Sequence, residues 1–293
     1  DKKYFVDNYS TVQQQNVSVL RSLEDGKLIK VIEEGDIKDL EKMGWQKPEP
    51  FNVKARDGKT DIYGVIYKPH GFDPNKKYPI IDGTYSGPQT IRSPKSFSQG
   101  LRYDDLSISQ LGFVMINIDG MGSAFRSKAF HDVCHKNLGD IGGPDHIKAI
   151  ITLARDNSWM DTTRVGIFGH SAGGYDAAHA LLVYPEFYKV GVSTAGNHDH
   201  RAAKAWWPEL YMGYPVGDNY DEQSNYNLVE NLKGNLLIVH GDMDENVNPT
   251  ASYRLAAELI KANKDFDLLI IPGKNHGQTY YDKYLIRKRW DYF

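Results

Sequence analysis

Two periodicities alternate along most of this chain. Short, nearly continuous apolar runs occupy residues 164–168, 235–240 and 267–271, and each reads as a strand buried on both faces. Stretches with helical spacing separate them. Residues 175–182 are rich in alanine and leucine, and residues 249–262 place Leu255, Leu259 and Ile260 on one predicted face. Strands alternating with helices predict an α/β domain built on a mostly parallel, doubly wound sheet. The first fifty residues follow another rule: runs at 17–23 and 28–32 flank Asp25-Gly26, the signature of a hairpin, and Asp57-Gly58 turns the chain into a further strand over 61–67. The pattern therefore divides the chain into an N-terminal β segment over residues 1–50 and an α/β unit over 51–293. Tyr284, Leu285, Lys288 and Trp290 keep a helical pattern to the last residues.

Chemistry enters at Gly169-His170-Ser171-Ala172-Gly173, a G-x-S-x-G sequence lying between a predicted strand and a predicted helix. A turn that sharp strains its apex and demands small neighbours. It also lifts the serine hydroxyl above the sheet, at a helix N-terminus whose N–H groups face incoming negative charge. Gly174 reinforces the reading. Serine is a weak nucleophile without a base and an orienting carboxylate, and in α/β-hydrolases these follow in the order Ser, Asp or Glu, His, each on a loop after a strand. Asp242, Asp244 and Glu245 all occupy the loop after 235–240, and loop position alone leaves the three open. His276 occupies the loop after 267–271, beside Gly277.

From about residue 78 onward the chain resembles the catalytic domain of the prolyl oligopeptidase family, nearest its dipeptidyl peptidase IV branch. The resemblance rests on Thr84-Tyr85-Ser86-Gly87-Pro88-Gln89, Asp119-Gly120-Met121-Gly122-Ser123, residues 169–175, Glu209-Leu210-Tyr211-Met212-Gly213, residues 240–247, and Asn275-His276-Gly277. It implies an α/β-hydrolase fold with Ser171 as nucleophile, Asp244 as orienting acid and His276 as base. It implies an oxyanion hole made by the Ala172 N–H and the Tyr85 phenol, and a contact from Asn246 to the substrate carbonyl. Matched by position, the specificity pocket is Ala172, Asn197, His200, Ala203, Trp207 and Val247. Only Trp207 and Val247 keep the apolar character of the proline-cleaving relatives, and Asn197 and His200 would put polar groups beside a proline ring.

A net charge of −3, with 25% charged residues, offers no electrostatic footprint for nucleic acid or a membrane surface, and no run of about 18 apolar residues occurs. Cys134 is the sole cysteine, which excludes an internal disulfide framework. Neither His131, Cys134 and His135 nor His198 and His200 supply a convincing metal-ligand set. The chemistry calls for no cofactor. The chain begins at Asp1 and stops within a helical pattern, so both ends read as cut. The resemblance places a β-propeller ahead of the hydrolase unit, with the first hairpin as its remnant, names a peptide as partner, and admits a homodimer. Two other readings stand beside the peptidase: an esterase or acyl-aminoacyl hydrolase with the same triad, and a non-catalytic interaction domain.

Overall fold

The computed structural model describes residues 2–85, 87–102, 104–140 and 142–293; Ser86 of the Tyr85 motif lies outside them. Three strands, β1 (Tyr4–Tyr9), β2 (Val17–Ser22) and β3 (Leu28–Glu34), form a small antiparallel sheet. Its β2 buries Val17 and Val19, whereas every residue of β3 is exposed.

Eight further strands form the main sheet: β4 (Glu49–Lys54), β5 (Asp61–Tyr67), β6 (Tyr78–Gly83), β7 (Val114–Asp119), β8 (Met160–His170), β9 (Tyr188–Thr194), β10 (Asn235–Gly241) and β11 (Asp267–Ile271). Their spatial order is β11-β10-β9-β8-β6-β7-β5-β4. Neighbours from β11 to β7 are parallel, and β5 and β4 add antiparallel strands at one edge. The fold is that of an α/β-hydrolase.

The parallel strands are mostly apolar because both faces are covered, with Asp82, Asn117 and His240 among the buried polar exceptions. Ile80, Ile167, Leu236 and Ile238 point into one core, with helices Gly143–Asp156, Ala172–Val183 and Thr250–Lys261. Their sequence neighbours Ile81, Phe168, Leu237 and Val239 point into the other, with helices Asp105–Gln110 and Lys283–Tyr292. Alternation of side chains along a strand distributes successive residues to opposite cores. One expected contact fails: Ile260 is 68% exposed, and the inner face of its helix is Leu255, Leu259 and Ser252. Residue 260 follows Leu259 by one helical step, about 100° around the axis, which carries it off the buried stripe.

The strand order places the chemistry. Tyr85 follows β6 and Ser171 follows β8, adjacent strands from which the chain winds in opposite directions. The crevice above the carboxyl ends of such a pair is the natural ligand position in an open α/β sheet. Asp244 follows β10 and His276 follows β11 at the same edge.

A buried ion pair fastens the C-terminal helix. Asp104 Oδ2 accepts from Arg289 Nε (3.1 Å), Arg289 Nη2 (2.7 Å) and Trp290 Nε1 (2.8 Å), and both charged residues are buried. Burial pushes the Asp104 carboxyl up, and Arg289 pulls it part of the way back. Arg289→Leu should therefore cost about 3–5 kcal/mol in urea unfolding, since it strands a buried charge. Adding Asp104→Asn should recover much of that loss; additive losses would show that the charge is not what the pair compensates.

Candidate active site

Ser171 sits at a strained turn. It leaves β8 with φ +61° and ψ −121°, a backbone that an L residue adopts only when its surroundings impose it. Two anchors impose it: the Ser171 N–H donates to Thr194 O on β9 (2.8 Å), and Ser171 O accepts from the Tyr175 N–H (3.0 Å) in the first turn of the following helix. Glycine is obligatory around it. A Cβ on Gly169 would lie 2.2 Å from Gly173 O, and one on Gly174 would lie 2.2 Å from Thr194 O. Strand and helix could not cross so closely with larger residues.

The acid loop is organised around Asp244. Its Oδ1 accepts the backbone N–H groups of Asn246 (2.9 Å) and Val247 (2.8 Å), and its Oδ2 accepts from His276 Nδ1 (2.6 Å). A second imidazole, His240 on β10, brings Nε2 within 3.3 Å of the same Oδ2. Burial pushes the Asp244 carboxyl up, but bonds from His240, His276 and Val247 outweigh it and hold the group far below the usual carboxylate range. The competing acids are occupied elsewhere. Asp242 accepts the Gly273 N–H (2.6 Å), tying this loop to the one after β11, and Glu245 accepts the His276 backbone N–H (3.5 Å).

One ring nitrogen of His240 is fixed as a donor by its partner. Its Nε2 lies 2.9 Å from Val247 O, which can only accept, so Nε2 carries a proton; Nδ1 shares a 2.7 Å hydrogen bond with Ser252 Oγ. His240 Nε2–H is therefore a donor shared between Val247 O and Asp244 Oδ2. His276 opens the short helix His276–Tyr280, which Asn275 closes with a capping box. Its ring packs on His170, the residue before Ser171, with centroids 4.5 Å apart. Burial, then the nearby His276, presses the His170 imidazole down to about 3.

Ser171, Ala172 and Tyr85 share one cavity of about 700 Å³. The Tyr85 oxygen accepts from Gln89 Nε2 (3.1 Å), and Gln89 Oε1 accepts from Trp207 Nε1 (3.3 Å). An accepted hydrogen bond polarises a phenol and makes it a stronger donor. Asn197, Ala203, Trp207, Asn246 and Val247 also line the cavity.

His200 does not. It is 1% exposed and packs beneath the wall, its ring 4.6 Å from that of Tyr175 and 6.1 Å from that of Trp207. Asn197 Nδ2 donates to His200 Nδ1 (3.1 Å), while His200 Nε2 is buried with no hydrogen-bond partner among the described residues.

Below this wall runs a buried polar row. His179 Nδ1 donates to Asn225 Oδ1 (2.7 Å), and Asn225 Nδ2 donates to His198 Nδ1 (3.1 Å) and to Tyr175 O (3.2 Å). Burial holds His179 down to about 4 and His198 and His200 down to about 3, so all three imidazoles are neutral. Sequence reasoning missed His240, Gln89 and this row. The available signal was polar side chains inside otherwise buried segments: His240 closes an apolar strand, and His179 interrupts an alanine-rich helix. His131, in contrast, donates to Pro88 O (3.0 Å), and among the described residues no three His, Cys, Asp or Glu side chains gather as a metal site.

Comparison with known proteins fits this arrangement. The sequence profile of the prolyl oligopeptidase family matches residues 101–293. Dipeptidyl peptidase 8 of Mus musculus is 32% identical over 239 residues, covering 78% of this chain and 26% of that protein. Venom dipeptidyl peptidase 4 of Apis mellifera is 31% identical, covering 80% of this chain and 29% of that protein. A Bacteroides ovatus structure assigned as a dipeptidyl aminopeptidase IV superposes with a TM-score of 0.89 at 31% identity, over 99% of this chain and 41% of its own. The chain thus spans between about a quarter and two fifths of the length of these relatives.

Two outcomes are expected from this geometry. His240→Leu should lower kcat about tenfold at nearly constant KM and raise the acidic limb of the kcat/KM profile, because Asp244 then loses a donor and holds the His276 proton more tightly. His240→Gln, which restores a donor, should move the limb back; a profile identical in both variants would make His240 a packing residue. The buried imidazoles set the second. Unfolded histidines take up protons near pH 6.5, whereas His179, His198 and His200 resist until about 4 or 3, so the unfolded chain binds more protons between these limits and stability falls as pH drops. His146, raised above its ordinary value beside Asp82 despite its burial, opposes the trend with a single group. The urea midpoint should accordingly be lower at pH 5 than at pH 7, and an unchanged midpoint would contradict neutral burial.

Proposed function

The chain belongs to the prolyl oligopeptidase family, and on that premise we propose that it is a serine peptidase cutting short peptides through an acyl-enzyme, with dipeptidyl aminopeptidase action as its specific form. The observation that carries this reading is the 2.6 Å bond from His276 Nδ1 to a fully occupied Asp244, beside a serine held at a strained strand-to-helix turn. Ser171 Oγ attacks the peptide carbonyl carbon while His276 Nε2 takes its proton. The Ala172 N–H and the Tyr85 phenol receive the charge that develops on the carbonyl oxygen. The proton then passes to the departing amine as the C–N bond breaks, and water repeats the sequence on the acyl-enzyme to release the acid and restore Ser171. Asp244 keeps the imidazole tautomer and orientation throughout.

Asn246 is suited to hold the substrate's next carbonyl, since Lys204 Nζ donates to Asn246 Oδ1 and leaves the amide nitrogen to donate. Within this reading, residues 51–293 are the catalytic unit and residues 1–50 a β segment beside it. The division of the strands into two sheets at β4 supports it. The reading includes a β-propeller adjoining the unit, supported by the exposed apolar side chains of β1 and β3, and admits a homodimer.

A fluorophosphonate should label Ser171 and should not label Ser171→Ala. Tyr85→Phe should lower kcat about 10²–10³-fold on a peptide anilide at similar KM, because only the hydroxyl that meets the transition-state charge is lost. Turnover of N-acylated anilides or p-nitrophenyl acetate, with free-amino dipeptide anilides left intact, would replace the peptidase reading with that of an acyl-aminoacyl hydrolase or esterase.

A further inference from the structure

The cavity beside Ser171 carries charge as well as room. Ala172 and Ala203 are small, so the space next to the nucleophile is wide, and Arg254 and Lys204 are the cations that line it among the described residues. Neither is in an ion pair among the described residues. Arg254 lies on the Tyr226 ring, 4.9 Å from its centroid, and Lys204 donates to the neutral Asn246 side chain.

The lining carboxylates are differently placed. Asp199 takes the Nε, Nη2 and backbone N–H of Arg201 together with Ser224 Oγ. Asp244 has both oxygens filled, and Glu245 faces the His276 backbone N–H. A ligand cation would find the oxygens of Asp199 and Asp244 filled and would be left with the exposed Glu245, whereas a ligand carboxylate would find two donors that are in no ion pair with a described carboxylate. A proline ring would use neither cation and would leave most of the width unfilled.

We propose that Arg254 is a specificity-determining residue, and that the peptidase inferred above prefers an acidic side chain, glutamate or aspartate, on the residue whose carbonyl Ser171 attacks. The guanidinium offers a planar pair of donors to that side-chain carboxylate, held over Tyr226 so that little side-chain freedom is lost on binding. Lys204 adds positive potential to the same space. Because Arg254 is exposed, the preference is moderate and falls as salt rises.

The test compares free-amino dipeptide anilides that differ only in the residue before the anilide: Glu, Gln, Pro and Lys. For the native protein, kcat/KM for Glu should exceed that for Gln about tenfold, and 0.5 M salt should shrink the ratio. Arg254→Gln should bring the Glu-to-Gln ratio near one, and Arg254→Glu should favour Lys over Glu. Equal rates for Glu and Gln in the native protein, or a ratio that survives Arg254→Gln, would overturn the assignment. A protein that fluorophosphonate labels at Ser171 and that cuts only Gln or Pro anilides overturns this proposal alone. A protein that is neither labelled nor active on any anilide overturns the peptidase reading on which the proposal rests.

Discussion

The candidate site depends on one backbone strain, the φ of +61° at Ser171. Such a conformation costs of order 1–3 kcal/mol and relaxes unless the surroundings forbid it. They forbid it because Ser171 lies between two rigid elements, the end of a central parallel strand and the start of a helix that is buried nearly all round. Parallel neighbours on both sides fix β8, and glycines at 169 and 174 allow the helix to close on the strand. The same neighbours deliver the other groups. Thr194, which anchors the turn, ends β9, and the loop beyond it supplies Asn197.

Electrostatically the candidate site sets hydrogen-bonded imidazoles around one carboxylate held far below its usual range. His240, His179, His198 and His200 each make a hydrogen bond through a ring nitrogen, and Asp244 collects the donors. A low-dielectric setting makes such bonds effective and makes extra protons costly. Cavity walls of this kind hold their shape through direction as much as through packing, because each bond in the His179–Asn225–His198 row permits a single sense of donation.

The legible parts of the sequence were those in which local backbone geometry dictates residue type. Ser171 could be read because its turn requires glycine at fixed offsets, and the strands at 164–168, 235–240 and 267–271 could be read because burial on both faces leaves few polar interruptions. Asp244 could not be separated from Asp242 and Glu245 by position; resemblance chose it, and in three dimensions the alternatives are bound to Gly273 and to the His276 backbone. Position matching also carried His200 to the pocket surface, whereas the structure buries it under Asn197, because an offset in sequence carries no information about depth. Ile260 failed for a related reason: one residue of helical rotation separates a core contact from solvent. The contacts of Lys204 with Asn246 and of Arg254 with Tyr226 at the cavity are made across the fold, which no local pattern records.

The division of labour at Asp244 restricts what can stand there. Four donors converge on its two oxygens, backbone amides on one and ring nitrogens on the other, and every lone-pair direction is addressed. An asparagine offers acceptors on one side alone. If its oxygen meets the amides, its NH₂ confronts two ring N–H groups and drives both His276 and His240 toward other tautomers; if reversed, its NH₂ confronts the backbone N–H pair, which cannot adapt. Protonation of the acid places one hydrogen against the same crowd. The position thus selects by arithmetic, four acceptor sites and no hydrogen, and a carboxylate on the shortest stem that reaches is the side chain that satisfies it.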